Sequence, residues 1–554
     1  MTGPRPIRTV VVGAGAAGAP LAARLAEDPG REVVLIEAGA AEVSSPGSPL
    51  PLPLSLPPEL RDGGALRGAM PDHAANWAYP AELRPGHGTT VARGRILGGS
   101  AAINGGYFVR ATAADFARWA AVGGPAWELE QVLPLLRALE RDCDLGPAPG
   151  GSLDSGPAHG GPPLHGGEGP VAVSRPPQGA AARALVAAAS ALGFPAEPDK
   201  NAFAAPGAGP VPSNIVDGVR VSPAAAYLGR LDPGARSRLR ILGGTRVLRV
   251  EFAGGTEGGA APRAVGVLTS SGSVAADEVV LAAGAIATPQ LLMLSGVGPA
   301  EHLARHGIAC VQDLPVGLEF SDHPNLALEW RAAPGVVDWE AGFGFPAALN
   351  LDAARVDPGL ASHPEGDLEI LLTAKPLGTL LTGARQAPDT LHLMVALQQH
   401  PASGRVSLTS ADPLAPPRIE YRYLEATADR RRLRAGVRTA AALLGSAPFA
   451  GISEGLVDLS PAELADDAAL DGWILSHLGT ALHTCGTAAM GRVVDGEGRV
   501  LGVAGLRVAD TSILPTAPHR GPANTAVLIG ELVARAMRPP LRRGPAFAGN
   551  SALS

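Results

Sequence analysis

The stretch that most constrains this chain is residues 7–39, IRTVVVGAGAAGAPLAARLAEDPGREVVLIEAG. The apolar run Thr9-Val10-Val11-Val12 reads as a buried parallel strand. Gly13-x-Gly15-x-x-Gly18 follows it and opens an Ala-rich segment, Ala16 to Ala26, that reads as a helix. A second apolar run, Glu32 to Ile36, ends in Glu37, where a dinucleotide-binding unit needs an acid to accept hydrogen bonds from an adenosine ribose, with Ala38 beside it. Gly13 allows the turn, Gly15 lets backbone approach a pyrophosphate, and Gly18 lets helix and strand pack closely. The helix start, including Ala16 and Ala17, then offers unpaired N–H groups and a partial positive charge to phosphates. An ordinary turn in a Gly-rich chain explains the glycines without explaining Glu37. The fingerprint alone does not separate FAD from NAD.

At 554 residues the chain is long for one domain, so two domains are expected. A net charge of -7 gives no basic footprint for nucleic acid. Lysine occurs at Lys200 and Lys375 alone, a bias we read as GC-rich coding rather than function. Cys143, Cys310 and Cys485 are too few and scattered for a disulfide framework or a CxxC metal site, so no metal and a reducing cytoplasm are expected. Arg5 and Arg8 before an apolar run superficially resemble an export signal, but the fingerprint explains the same residues better. No apolar run is long enough to span a bilayer, and peripheral docking at the inner face of a membrane stays open.

After Glu37, the Pro- and Gly-rich stretch 40–75 reads as a loop, either a lid or disordered. Trp77 and Tyr79 read as core aromatics beneath it. The next informative segment is Arg93-Gly94-Arg95-Ile96-Leu97-Gly98-Gly99-Ser100-Ala101-Ala102-Ile103-Asn104-Gly105-Gly106. Its paired glycines bring main chain against a ligand, and Ser100 and Asn104 add hydrogen bonds there. Together with the opening fingerprint this segment resembles the glucose–methanol–choline (GMC) flavoprotein oxidoreductases. The resemblance implies that the loop, with Arg95, Gly98, Gly99, Ser100, Asn104, Gly105 and Gly106, lies along FAD. Ala101 stands where a second Ser is common. Ile103 stands where certain members carry a flavin-linking His, so the FAD is expected to be noncovalent.

Residues 115–140 alternate at helical spacing, broken by Gly123-Gly124-Pro125, with Trp119 and Trp127 as packing residues. Residues 145–170 read as a loop in which His159 and His165 are solvated. Residues 183–193 read as a helix, 239–252 and 263–269 as strands, and 277–284 as a buried strand. The resemblance puts a main-chain adenine contact at Val247 and the return to the FAD domain at Ala283 and Gly284. Thr288 can cap, Pro289 suits a first turn, and Gln290 to Leu294 form the helix that Gly296 ends. Asp322-His323-Pro324 resembles the crossing into the substrate domain, with His323 structural. Leu368–Thr373 and Thr390–Leu397 read as strands covering the flavin's reactive face.

Near the C-terminus, a strand from Leu506 to Ala509 ends in Asp510, a polar residue where doubly wound sheets present ligands, with Thr511 beside it. The resemblance places the family's active-site His on His483 and its second active-site position on Asn524, followed by Thr525 and the apolar helix 527–537. His477 and His519 are the competitors. Hydride removal from an alcohol needs loss of the hydroxyl proton, and a base near neutral pKa is efficient, which makes His483 the general base. Asn524 would hold the developing alkoxide.

The resemblance implies an α/β protein with two parts. A Rossmann-like FAD domain would be built from 1–160, 220–318 and 477–540. A substrate domain with a mainly antiparallel sheet would come from 161–219 and 319–476, with 541–554 a tail. It implies oxidation of an alcohol at CH–OH with electrons leaving to a quinone or respiratory component. An oxygen-using oxidase is the alternative, and cyanohydrin cleavage a weaker one. Asn104 to Thr112 and Arg520 to Ala526 look like members associated with the mycofactocin system, in which a reduced peptide-derived redox cofactor is the electron donor.

Overall fold

The computed structural model describes residues 5–40, 56–147, 163–254, 261–385, 388–399 and 401–538. Part of the 40–75 loop, His159 and the C-terminal tail lie outside these. Twelve strands position the site: β1 (Ile7–Val12), β2 (Arg31–Ile36), β3 (Ala208–Pro210), β4 (Leu239–Leu242), β5 (Glu278–Leu281), β6 (Pro324–Ala332), β7 (Ala347–Leu351), β8 (Leu368–Leu372), β9 (Thr390–Leu397), β10 (Ser453–Leu456), β11 (Gly479–Thr480) and β12 (Leu506–Val508). Four helices matter here: α1 (Gly18–Ala26), α2 (Gly284–Leu294), α3 (Thr427–Leu444) and α4 (Ala523–Met537).

The first sheet runs β4-β2-β1-β5-β12 with every pairing parallel. Its central strands β1, β2 and β5 are buried over their Val/Leu/Ile runs, while the edge strand β4 exposes Arg240. Helices α1 and α4 cross on it, and a Cβ on Gly530 of α4 would stand 2.3 Å from the Ala17 carbonyl oxygen. Arg24 Nε and the Tyr227 hydroxyl both donate to Glu531 at this crossing, at 2.9 and 2.6 Å.

The second sheet is antiparallel in the order β10-β6-β9-β8-β7-β3, with β11 on β6. One face presents Leu328, Leu393, Ile370 and Leu349 to a separate core that includes Val437 and Leu433 of α3. The other face carries Asn325, Ala396, Glu369 and Asn350, paired across β6, β9, β8 and β7. The protein is thus α/β, with a doubly wound parallel sheet and a mainly antiparallel one.

Several local expectations change. Residues 239–252 divide into β4 and a strand Val247–Ala253 that joins another sheet, because Gly244 turns the chain with φ +62°. Helix α2 starts at Gly284, so Pro289 lies inside it, and the Thr288 hydroxyl donates to Asp510 at 2.6 Å instead of capping. His165 is buried and bridges Asp142, Glu140 and Asp199 at 2.9, 3.2 and 2.8 Å. Arg110 and Arg175 pair with the same carboxylates, so the cluster is an ion-pair lock rather than a solvated loop. Among the described residues no helix is long and apolar enough to cross a membrane.

Candidate active site

A cavity of about 470 Å³ extends from the carboxyl ends of β1, β2 and β5 to the polar face of the second sheet. Its inner end is set by the glycines. Gly13 has φ +101°, and a Cβ there would stand 2.4 Å from the Ala282 carbonyl oxygen. At Gly15 a Cβ would meet nothing closer than 3.9 Å, so the missing side chain leaves room for a ligand. Gly15, Ala16, Ala17, Glu37 and Ala38 line this end. The Glu37 carboxylate accepts from Ala14 N at 3.0 Å and Gly39 N at 2.8 Å, which fixes it while lone pairs remain for hydroxyl donors. Burial raises its pKa. Helix α1 begins without a side-chain cap.

Gly99, Ser100, Asn104, Gly105, Val247, Ala283, Gly284, Asp510 and Thr511 form more of the wall. Asp510 is buried and accepts from Gly284 N at 2.9 Å and Ser512 N at 2.9 Å, tying β12 to the start of α2. Trp77 and Tyr79, expected in a core, also line the cavity, with Trp77 between the guanidinium groups of Arg95 and Arg246 at 5.4 and 5.1 Å.

At the other end stands His483. Leu482, just before it, has φ +65°, a conformation costly for leucine. Neighbouring bonds hold it: Leu482 N donates to Thr480 Oγ1 and His483 N to Asp322 Oδ1, at 3.0 and 2.9 Å. Asp322 also accepts from Thr484 Oγ1 at 2.7 Å and from His323 N at 2.6 Å. His483 Nδ1 lies 2.8 Å from His323 Nδ1, so one ring donates and the other accepts. Both imidazoles are held below the ordinary histidine pKa. Burial is the main cause, with the Arg93 charge adding to it for His483 and the neighbouring imidazole for His323.

Gly18 packs helix against strand as its place in the fingerprint implies, since a Cβ would meet Gly13 O at 2.0 Å and Ala282 Cβ at 2.9 Å. Other expected contacts lie elsewhere. Gly98 and Gly106 are required by Ser222 and Ile215, which a Cβ would meet at 2.6 and 2.5 Å, and neither lines the cavity. Arg95 donates to the Ala74 carbonyl. Asn524 and Thr525 are buried and lie off the cavity wall, because α4 begins at Ala523 rather than Val527. The Asn524 amide atoms are buried without a hydrogen-bond partner. Gly521, Pro522 and Ala523 face the cavity instead, and α4 starts without a side-chain cap. His519 is committed to Asp115 at 2.8 Å, and His477 to Asp458 at 2.8 Å.

Two residues that the sequence reading passed over complete this end. A Cβ on Gly521 would stand 2.9 Å from the Tyr107 ring and 3.4 Å from His483 Cε1, so Tyr107 packs where a side chain from position 521 would reach. The Tyr107 hydroxyl donates to Glu369 at 2.8 Å. An acid inside the strand LEILL was the available signal.

Open space at Gly15, a fixed carboxylate at Glu37 and two uncapped helix N-termini suit a dinucleotide whose far end reaches His483. Ile103, also in the wall, has no nucleophile for a covalent link. The GMC oxidoreductase family model matches residues 7–325 in its N-terminal part and 401–530 in its C-terminal part. An uncharacterized GMC-type oxidoreductase in the thcA 5' region of Rhodococcus erythropolis is 37% identical over 543 residues, covering 94% of this chain and 96% of that protein. An oxygen-dependent choline dehydrogenase of Klebsiella pneumoniae is 33% identical, covering 96% and 95%. The crystal structure of pyridoxine 4-oxidase from Mesorbium loti superposes with a TM-score of 0.81 at 27% identity, covering 96% and 99%. The chain belongs to the GMC oxidoreductase family and is an FAD-dependent oxidoreductase.

Proposed function

We propose that this protein oxidises the CH–OH group of an alcohol to a carbonyl, with His483 as general base, and passes the electrons to an acceptor other than oxygen. The supporting observation is the contact between buried His323 and half-buried His483 at the cavity end away from Glu37. Bound FAD supplies the hydride acceptor. When His483 carries its hydrogen on Nδ1 and donates to His323, Nε2 offers a lone pair to a substrate hydroxyl. Taking that proton turns the Nδ1 contact into a charge-assisted bond, which stabilises the imidazolium. The α4 N-terminus in the wall favours negative charge gathering beside it.

Residues 104–112 and 520–526 support the finer reading that the donor is a reduced peptide-derived redox cofactor of the mycofactocin type. The acceptor is then a quinone or respiratory component, at the inner face of a cytoplasmic membrane. The similarity to an oxygen-dependent choline dehydrogenase and to pyridoxine 4-oxidase favours a second reading, in which oxygen accepts the electrons. We assign 1–160, 220–318 and 477–540 to cofactor binding and 161–219 and 319–476 to substrate binding.

The test is anaerobic. Wild-type flavin is expected to bleach with substrate and reoxidise faster with a quinone or dye than with oxygen. His483→Ala is expected to keep its flavin and slow bleaching by roughly 10²–10⁴-fold. Unchanged bleaching in the variant refutes the base assignment, and rapid peroxide release in air selects the oxidase reading.

A further inference from the structure

The second sheet shows the cavity one polar row. Asn325, Ala396, Glu369 and Asn350 are register partners on four adjacent strands and therefore project from one face. The next row on that face, Ala327, Met394, Leu371 and Ala348, is apolar. Glu369 is 5% exposed and lines the cavity. Its Oε2 accepts from Tyr107 at 2.8 Å and from the Asn350 amide at 3.0 Å, and Oε1 takes part in neither bond. In the same row Asn325 Oδ1 is buried with no hydrogen-bond partner.

Behind the row, Lys200 Nζ donates to Asn350 Oδ1 at 2.9 Å and to Glu197 Oε2 at 2.6 Å, and Arg520 Nη2 lies 3.8 Å from Glu197 Oε1. Two acids, Glu197 and Glu369, are thus matched by two cations within one cluster. The carboxylate at the cavity wall is already balanced in charge, and what its free oxygen lacks is a donor. Tyr107 links this acceptor to the reacting end, since its ring borders Gly521 beside His483 while its hydroxyl holds Glu369.

We propose that Glu369 selects the substrate. It accepts a hydrogen bond from an N–H or O–H group at the far end of the alcohol while the carbinol rests at His483. The favoured class is aminoalcohols and diols over monoalcohols of equal length. This rests on the alcohol-oxidising reading above. A substrate without the donor leaves a dehydrated carboxylate oxygen unpaired, which lowers kcat/KM by about tenfold or more.

The test uses FAD-loaded protein and Glu369→Gln, an isostere that can turn an N–H toward the cavity. Aminoalcohols, diols and monoalcohols of two to five carbons are compared by dye-linked oxidation. Wild type is expected to prefer one or both donor-bearing series by at least about tenfold, and the aminoalcohol and diol arms show which donor fits. Glu369→Gln should reduce that preference to about twofold or less. A preference that survives, or an equal loss on all three series, overturns the proposal. A second readout does not need turnover: n-propylammonium, which has donors but no carbinol, is titrated by flavin absorbance. A Kd at least tenfold weaker in Glu369→Gln supports the anchor even if no alcohol bleaches the flavin, and an unchanged Kd refutes it. Absence of bleaching in wild type refutes the alcohol reading alone.

Discussion

His483 is built into place by its neighbours. Asp322 holds its backbone, Leu482 bears the strained φ, and His323 fixes the ring through Nδ1. His323→Ala is expected to lower kcat about 10- to 100-fold with KM and flavin content little changed, since it alters the orientation of the base rather than the binding wall. Steady-state kinetics with the preferred alcohol checks this, and a matched rise in KM would show that His323 shapes binding instead. Because burial holds His483 below its ordinary pKa of 6.5, the base stays unprotonated as pH falls past that value. The acid limb of kcat/KM should therefore lie below pH 6.5, and a limb at or above it contradicts the burial argument. His483 itself was legible from the sequence through the resemblance of its surroundings. Its partner was not, because His323 lies 160 residues away and nothing local marks the pairing.

The elements show the same division. The β1–α1–β2 unit was readable because its signals are local: an apolar run, glycines with distinct jobs, and an acid at the second strand's end. Helix α4 starts at Ala523, four residues before the expected Val527, which puts Asn524 in its first turn. Glu369 was missed because its meaning depends on register with Asn350 and on Tyr107, 262 residues distant. The crossing of α1 and α4 gives a prediction at this scale. Gly530→Ala drives a methyl against the Ala17 carbonyl and forces the helices apart, costing about 1–3 kcal/mol. Denaturant titration checks the cost. Ala17 lines the cavity, so FAD should also dissociate more readily, as flavin release on gel filtration would show.

Across the whole molecule, a buried ionic lock sets an alkaline limit. Burial alone would lower the pKa of His165, but the hydrogen bonds that its imidazolium donates to Asp142, Asp199 and Glu140 outweigh it and raise the value to about 10. A histidine raised in the folded state contributes stability fully present below pH 6.5 and lost as pH climbs towards 10. Wild type should lose unfolding free energy across that window more steeply than His165→Gln, and parallel pH profiles would remove the lock from the account. The two-sheet plan was implied by the family resemblance, while the way one wall of polar side chains meets the cavity required coordinates. One feature of the parallel sheet reaches beyond the finished molecule. Its strands come from residues 7–36, 239–242, 278–281 and 506–508, so β1 finds its second partner, β5, more than 200 residues downstream, and the edge strand β12 joins β5 later still. During synthesis, more than 490 residues separate the end of β1 from the start of β12, so the outer edge of β5 stays open to wrong pairing until that strand arrives.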